Sequence, residues 1–234
     1  MKFVSYKRAL RRARHRYGSE SRKCRKGRVM AMISFSRHFI FVKTRKTAGS
    51  SLEVHLERVC GSTDIVTPIY PPDFAHKPRN YDPNFFNHMP ATLLRALQPD
   101  AFALFLKFCF ERHPVDNCLS HYAMLKNSKW HARPDNPQSW EAYLERGEFP
   151  IDLFRYCDDD GKVLVDKIYR YEDMDAALLD ISERLECDIG PLTVREKSGF
   201  RSEIPTFAAV MNEPRQKERI MTAFAASLRV TPYD

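Results

Sequence analysis

Apolar residues along the chain repeat one plan: a short β-rich run, a polar loop, then a helical stripe. His38–Lys43 reads HFIFVK, with the length and bulk of a buried strand. Thr44–Ser51 is polar. Leu52, Leu56 and Val59 then mark one face of a helix that ends before Gly61. The plan recurs at Ala103–Glu111 (ALFLKFCFE), a second strand, followed by a helix opened by Pro114, with Leu119, Tyr122 and Leu125 behind it. It recurs again at Val163–Tyr171, a third strand, leading into a helix over Met174–Leu185. Shorter helices are predicted at Pro90–Leu97 and Ser139–Arg146, and one short strand at Asp64–Thr67. Either Glu172 or Asp173 is expected to cap the helix that follows them.

Strands alternating with helices predict an α/β fold with a parallel sheet covered on both faces. The loops after the strand C-termini then gather at one sheet edge. Apolar residues are 43% of the chain, with 16 Phe and 10 Tyr, which excludes wholesale disorder. Charge divides the chain in two. Residues 1–28 hold 12 Lys or Arg against Glu20 alone, a net +11, while the remainder is near neutral at −3. Residues 1–28 therefore read as a basic arm, and the folded body begins near Val29. No apolar leader precedes Met30, which predicts a cytoplasmic protein. The cysteines form no CxxC pair and share no metal-ligand spacing with histidines, so reduced thiols and no bound metal are expected.

The densest chemistry lies in Phe41–Glu53, FVKTRKTAGSSLE. A strand delivers Arg45 and Lys46 into a loop. Thr47, Ser50 and Ser51 add hydroxyls, Ala48 and Gly49 leave room for an anion, and the next helix points its N–H groups back. This fits a phosphate cradle or, on spacing alone, a solvated basic turn. It is not the G-x-x-x-x-G-K-[ST] loop. A second segment, Phe110–Tyr122 (FERHPVDNCLSHY), places Arg112 at a strand end and Ser120 two turns into a helix, a pair suited to one further phosphate.

Together these segments resemble the sulfotransferase superfamily that uses 3′-phosphoadenosine 5′-phosphosulfate (PAPS). KTAGSSL stands where that family carries its 5′-phosphosulfate loop. Arg112 to Tyr122 is similar to its 3′-phosphate motif, with Asn117 where a second arginine is common. Arg170-Tyr-Glu-Asp-Met174 resembles its RYEDL strand-to-helix junction. Arg45 replaces the proline usual before Lys46. The resemblance covers roughly residues 36–205, is nearest to the carbohydrate-type branch, and assigns residues 29–234 to a sulfotransferase domain. It implies a P-loop-NTPase-like three-layer fold with a central parallel sheet.

The resemblance also implies a reaction. A sulfuryl group would pass in line from PAPS to a hydroxyl of a carbohydrate or glycolipid, with Lys46 and the loop N–H groups stabilising the leaving phosphate. Lys197 and Arg201, in a late basic loop, are candidates to complete the nucleotide site. The base is expected to be His88, which lies between the two anion motifs, with Glu53 as its rival. A sulfuryl group carries less charge than a γ-phosphoryl, so no metal is expected. Two alternatives stand beside this: a Mg-ATP-dependent phosphotransferase on a similar cradle, and a non-enzymatic polyanion binder acting through the arm. The arm is also expected to contact polyanions or a membrane surface, without specific nucleic-acid recognition.

Overall fold

The computed structural model describes residues 31–69, 76–81, 84–193 and 200–233. The basic arm and Lys197 lie outside these residues. Five strands form one sheet: β1 (Met32–Ser34), β2 (Phe39–Phe41), β3 (Ile65–Val66), β4 (Leu106–Glu111) and β5 (Lys167–Arg170), in the order β3-β1-β2-β4-β5. β2, β4 and β5 fall within the three segments expected as strands, and they pair in parallel. The sheet as a whole is mixed, not parallel as expected, because β1 runs antiparallel to both β2 and β3. Only a tight turn, containing His38 at φ 54°, separates β1 from β2. So short a connection can join only antiparallel neighbours.

Asp64 closes the edge of the sheet where that turn lies. Its carboxylate accepts from the Ser34 and Ser36 hydroxyls at 2.6 and 2.7 Å and from the N–H groups of Phe35, Ser36 and Gly61 at 2.8–2.9 Å. Burial opposes its ionisation, but these bonds outweigh burial and hold its pKa below the usual carboxylate value. β3 follows at the predicted position. Being antiparallel to β1, it runs in the same sense as β2, so β2, β3, β4 and β5 all end at the opposite edge.

Ten α-helices surround the sheet among the described residues: α1 (Gly49–Glu57), α2 (Ala91–Leu97), α3 (Pro99–Leu104), α4 (Pro114–Asn127), α5 (Trp140–Arg146), α6 (Leu153–Tyr156), α7 (Met174–Arg184), α8 (Phe207–Met211), α9 (Pro214–Ala223) and α10 (Ala225–Leu228). The strand expected from Ala103 starts three residues later, because Pro99 opens α3 and carries Ala103 and Leu104 into it. The third strand is also shorter than Val163–Tyr171, and a 3-10 turn over Tyr171–Asp173 leads into α7. Neither Glu172 nor Asp173 caps α7 through its side chain. Glu172 instead accepts from the His113 N–H at 2.8 Å and the Tyr233 hydroxyl at 3.2 Å, tying the start of α4 to the C-terminal segment.

Side-chain alternation along the strands divides the core. Phe39, Phe41, Phe108 and Phe110 pack with Leu52 and Leu56 of α1 and with Leu178 and Ile181 of α7. Ile40, Val42 and Cys109 face the other way, toward Leu93, Leu94, Phe102 and Tyr156. A third cluster joins Val115, Cys118, Leu119 and Tyr122 of α4 to Trp140, Tyr143 and Leu144 of α5 and to Val210, Ile220 and Phe224. It fixes α4 by one side and leaves the other side toward the sheet edge. No helix among the described residues is long and apolar enough to cross a membrane.

Candidate functional site

The loop Thr44–Ala48 leaves β2 and enters α1 at the edge where four strands end. Lys46 and Ala48 have left-handed backbones, at φ 64° and 59°. This alternation turns successive N–H groups toward one concave side, the geometry of an anion nest. Ala48 is the N-cap of α1 and supplies no side-chain acceptor, so the first N–H groups of this nine-residue helix also point at the loop. Thr44 and Thr47 are buried and brace the loop from inside. Their hydroxyls meet at 3.0 Å, and Thr44 Oγ1 also donates to the Phe110 carbonyl on β4.

Beneath the loop lies an ion pair. Lys43 Nζ reaches Glu53 at 2.6 Å and Ser50 Oγ at 3.2 Å, with Lys43 and Glu53 only 5% and 1% exposed. Burial depresses the Lys43 pKa, and the Glu53 carboxylate works against that. Gly49 is required here because the Lys43 stem crosses it: a Cβ at Gly49 would lie 2.7 Å from both Cγ and Cε of Lys43. Gly49→Ala is therefore expected to displace Lys43 from Glu53 and to lower stability by about 1–3 kcal/mol, read from urea unfolding midpoints. An unchanged midpoint would show that Lys43 can move aside without cost.

Asp152, just before α6, holds the loop from the other side. It accepts from the Arg45 N–H and from Arg45 Nε and Arg155 Nε, each Nε at 2.8 Å. Burial opposes its ionisation, yet Arg155, Arg45 and His88 outweigh burial and keep it well below the usual carboxylate range. Arg155 is itself buried and donates to the His88 carbonyl. His88 is half-buried, with φ 57°, and its Nδ1 lies 3.1 Å from the Lys43 carbonyl. That carbonyl can only accept, so Nδ1 carries the proton and Nε2 keeps its lone pair. Burial, with Arg155 and then Lys43, lowers the His88 pKa well below that of ordinary imidazole.

The second motif docks on the first. Arg112 Nη1 donates to the Lys46 carbonyl at 2.7 Å, its Nε donates to Asp116 at 2.7 Å, and its guanidinium lies 3.9 Å from the Tyr171 ring centre. Asp116 also accepts from Arg201 at 2.6 Å, so the two arginines meet on one carboxylate. Ser120 lies one turn beyond Asp116 on α4 and is half-buried. Arg45, Lys46, Thr47, Ala48, Gly49, Ser50, Ser51, Glu53, His88, Arg112 and Arg201 are thus joined through direct contacts or one shared residue.

Sequence reasoning overlooked Asp152, Arg155 and Glu111, and left His121 as structural or unassigned. Asp152 gave no signal, being 107 positions from its partner Arg45. Glu111 ends β4 with a buried Oε1 that makes no hydrogen bond, and burial together with Asp152 pushes its pKa to about 8. His121 was visible in the LSHY run, but nothing in the spacing marked it.

No protein-family model matches this chain, and no curated protein matches it.

Proposed function

We infer that the chain is a PAPS-dependent sulfotransferase that sulfates a hydroxyl of a carbohydrate or glycolipid acceptor, on a three-layer fold of the P-loop type. The observation that carries this reading is the 2.7 Å bond from Arg112 to the Lys46 carbonyl. It brings a cradle suited to a 5′-phosphosulfate against a guanidinium suited to a 3′-phosphate, from motifs 66 residues apart. In this reading the nest and the α1 N-terminus hold the phosphosulfate, and Lys46 with Arg45 stabilises charge on the leaving phosphate. Arg112, Ser120 and Arg201 read the 3′-phosphate, with Lys197 from the same late loop. His88 Nε2 takes the acceptor proton, while Glu53 serves as the counterion that holds Lys43. The transferred group brings little charge of its own, so the cations present suffice without a metal.

The product nucleotide 3′-phosphoadenosine 5′-phosphate is expected to bind at least tenfold more tightly than AMP or ATP, in calorimetry with EDTA present. Tenfold is the least that one charge-assisted contact to the extra phosphate should give, at about 1.5–3 kcal/mol. Equal affinity for the three nucleotides would remove Arg112 and Ser120 from nucleotide reading. ATP binding that depends on magnesium would favour the phosphotransferase instead. Transfer of label from PAPS to a panel of glycosides tests the reaction itself.

A further inference from the structure

On α4, Val115, Cys118, Leu119 and Tyr122 turn into the third core, so Asn117 and His121, one turn apart, lie together on another side. Asn117 is 2% exposed, and its Oδ1 is buried with no hydrogen-bond partner. Native proteins rarely leave a buried amide oxygen unmet, and such a group calls for a ligand or an ordered water. His121 is half-buried and near enough to the cradle for the charges of Arg45 and Lys46 to act on it.

The His121 tautomer follows from its neighbour. Tyr143 is 1% exposed and is held between Trp140 and Tyr122, at ring-centre distances of 5.3 and 5.5 Å. Its hydroxyl lies 3.1 Å from His121 Nδ1. A buried phenol needs an acceptor for its proton. The Cys118 thiol nearby is a weak acceptor, so Nδ1 accepts the hydrogen bond that the Tyr143 hydroxyl donates. The ring stays neutral, its pKa lowered to about 3 by burial and then by Arg45 and Lys46, with Asp152 opposing. The neutral ring therefore carries its own proton on Nε2, the reverse of His88.

We propose that Asn117 and His121 form a docking pair for the acceptor hydroxyl: His121 Nε2–H donates to the hydroxyl oxygen, and Asn117 Oδ1 accepts the hydroxyl proton until His88 takes it. This rests on the sulfotransferase reading and assigns positioning residues, not a second base. A hydroxyl both accepts and donates, so it satisfies both members of the pair. A phosphate or sulfuryl oxygen only accepts and would leave Asn117 Oδ1 unmet. Tyr143 is the residue that fixes the donor.

Two measurements on the full chain test the pair. In long-range ¹H–¹⁵N spectra of ¹⁵N-histidine-labelled protein, His121 is expected as the neutral Nε2–H tautomer from about pH 5 to about pH 8. Tyr143→Phe should mix its tautomers. An ordinary imidazole titration, or an Nδ1–H tautomer, overturns the proposal. In initial-rate assays with PAPS and methyl glycosides, His121→Phe and Asn117→Leu are each expected to raise the acceptor KM by about tenfold, the value of one hydrogen bond. Product-nucleotide affinity should not change, and His121→Gln, which keeps an N–H at the Nε2 position, should restore the KM. Lost nucleotide affinity with an unchanged acceptor KM overturns the pair. If the wild-type chain sulfates no glycoside, the sulfotransferase reading itself falls. Hydroxyl binding is then decided by whether methyl α-D-mannoside shifts the His121 Nε2 signal: a shift supports the pair and no shift overturns it.

Discussion

Replacing His88 with alanine is expected to cut turnover by about 10²–10⁴-fold, the loss typical of a general base, with product-nucleotide affinity retained. His88→Asn should lose as much while keeping a donor for the Lys43 carbonyl, which separates loss of the base from loss of the local fold. The pH dependence has a definite sign. A base works unprotonated, so the rate rises as His88 loses its proton. Burial and the charges of Arg155 and Lys43 move that loss well below the ordinary imidazole value. The rising limb should therefore be centred well under about pH 6.5, and the rate should be flat across neutral pH. A limb centred at 6.5 or higher, or one that survives in His88→Ala, would take His88 out of the mechanism. Glu53→Gln separates the rivals. Glu53 is buried against Lys43, so its loss should appear as reduced stability with the limb intact.

Asp152→Ala should be the most destabilising of the single substitutions considered, at about 3–5 kcal/mol, because it breaks a buried ion pair and removes the carboxylate that faces Arg155. Guanidinium unfolding midpoints measure this directly. The same carboxylate makes stability sensitive to acid. Its pKa is depressed on folding, so its contribution is complete above the unfolded value of about 3.9. The contribution disappears as pH falls from there through the folded value. Wild type should lose stability below about pH 4 along a slope that Asp152→Asn lacks. Parallel slopes for the two proteins would mean that other carboxylates carry the acid response. Since Arg45 is held by Asp152 through both backbone and side chain, the alanine variant should also loosen the cradle and weaken nucleotide binding.

The parallel half of the sheet was legible chiefly because β2 is apolar on both faces and β4 packs Phe108, Cys109 and Phe110 in succession. Phe39, Ile40 and Phe41 serve two cores at once, which removes polar alternation and leaves a run. β1 was not legible. Met-Ile-Ser is too short for a periodic signal, and its partner β3 is shorter still. The cradle was readable since strand, loop and helix are contiguous. The groups that hold it are not contiguous: Asp152 and Arg155 come from α6 and the residue before it, a segment whose only local signs are a proline and aromatic residues. Histidine roles were the hardest to read. His88 and His121 differ through their partners, a carbonyl in one case and a phenol in the other, and those partners lie 45 and 22 positions away.

The reversed strand has a consequence for the basic arm. Met32 pairs with Phe41, so the start of β1 lies level with the end of β2, where the cradle begins. The chain bearing a net +11 in residues 1–28 therefore joins the fold within a few residues of the sheet edge that carries the cradle. On the proposal that the arm holds a polyanion, that polyanion would be tethered there, and its encounter with the cradle would depend on linker length and not on bulk concentration. For short tethers such local concentrations reach about the millimolar range. On the proposed sulfotransferase reading, an acceptor carrying its own sulfates or phosphates would thus be retained between successive transfers, and more salt would shorten that retention.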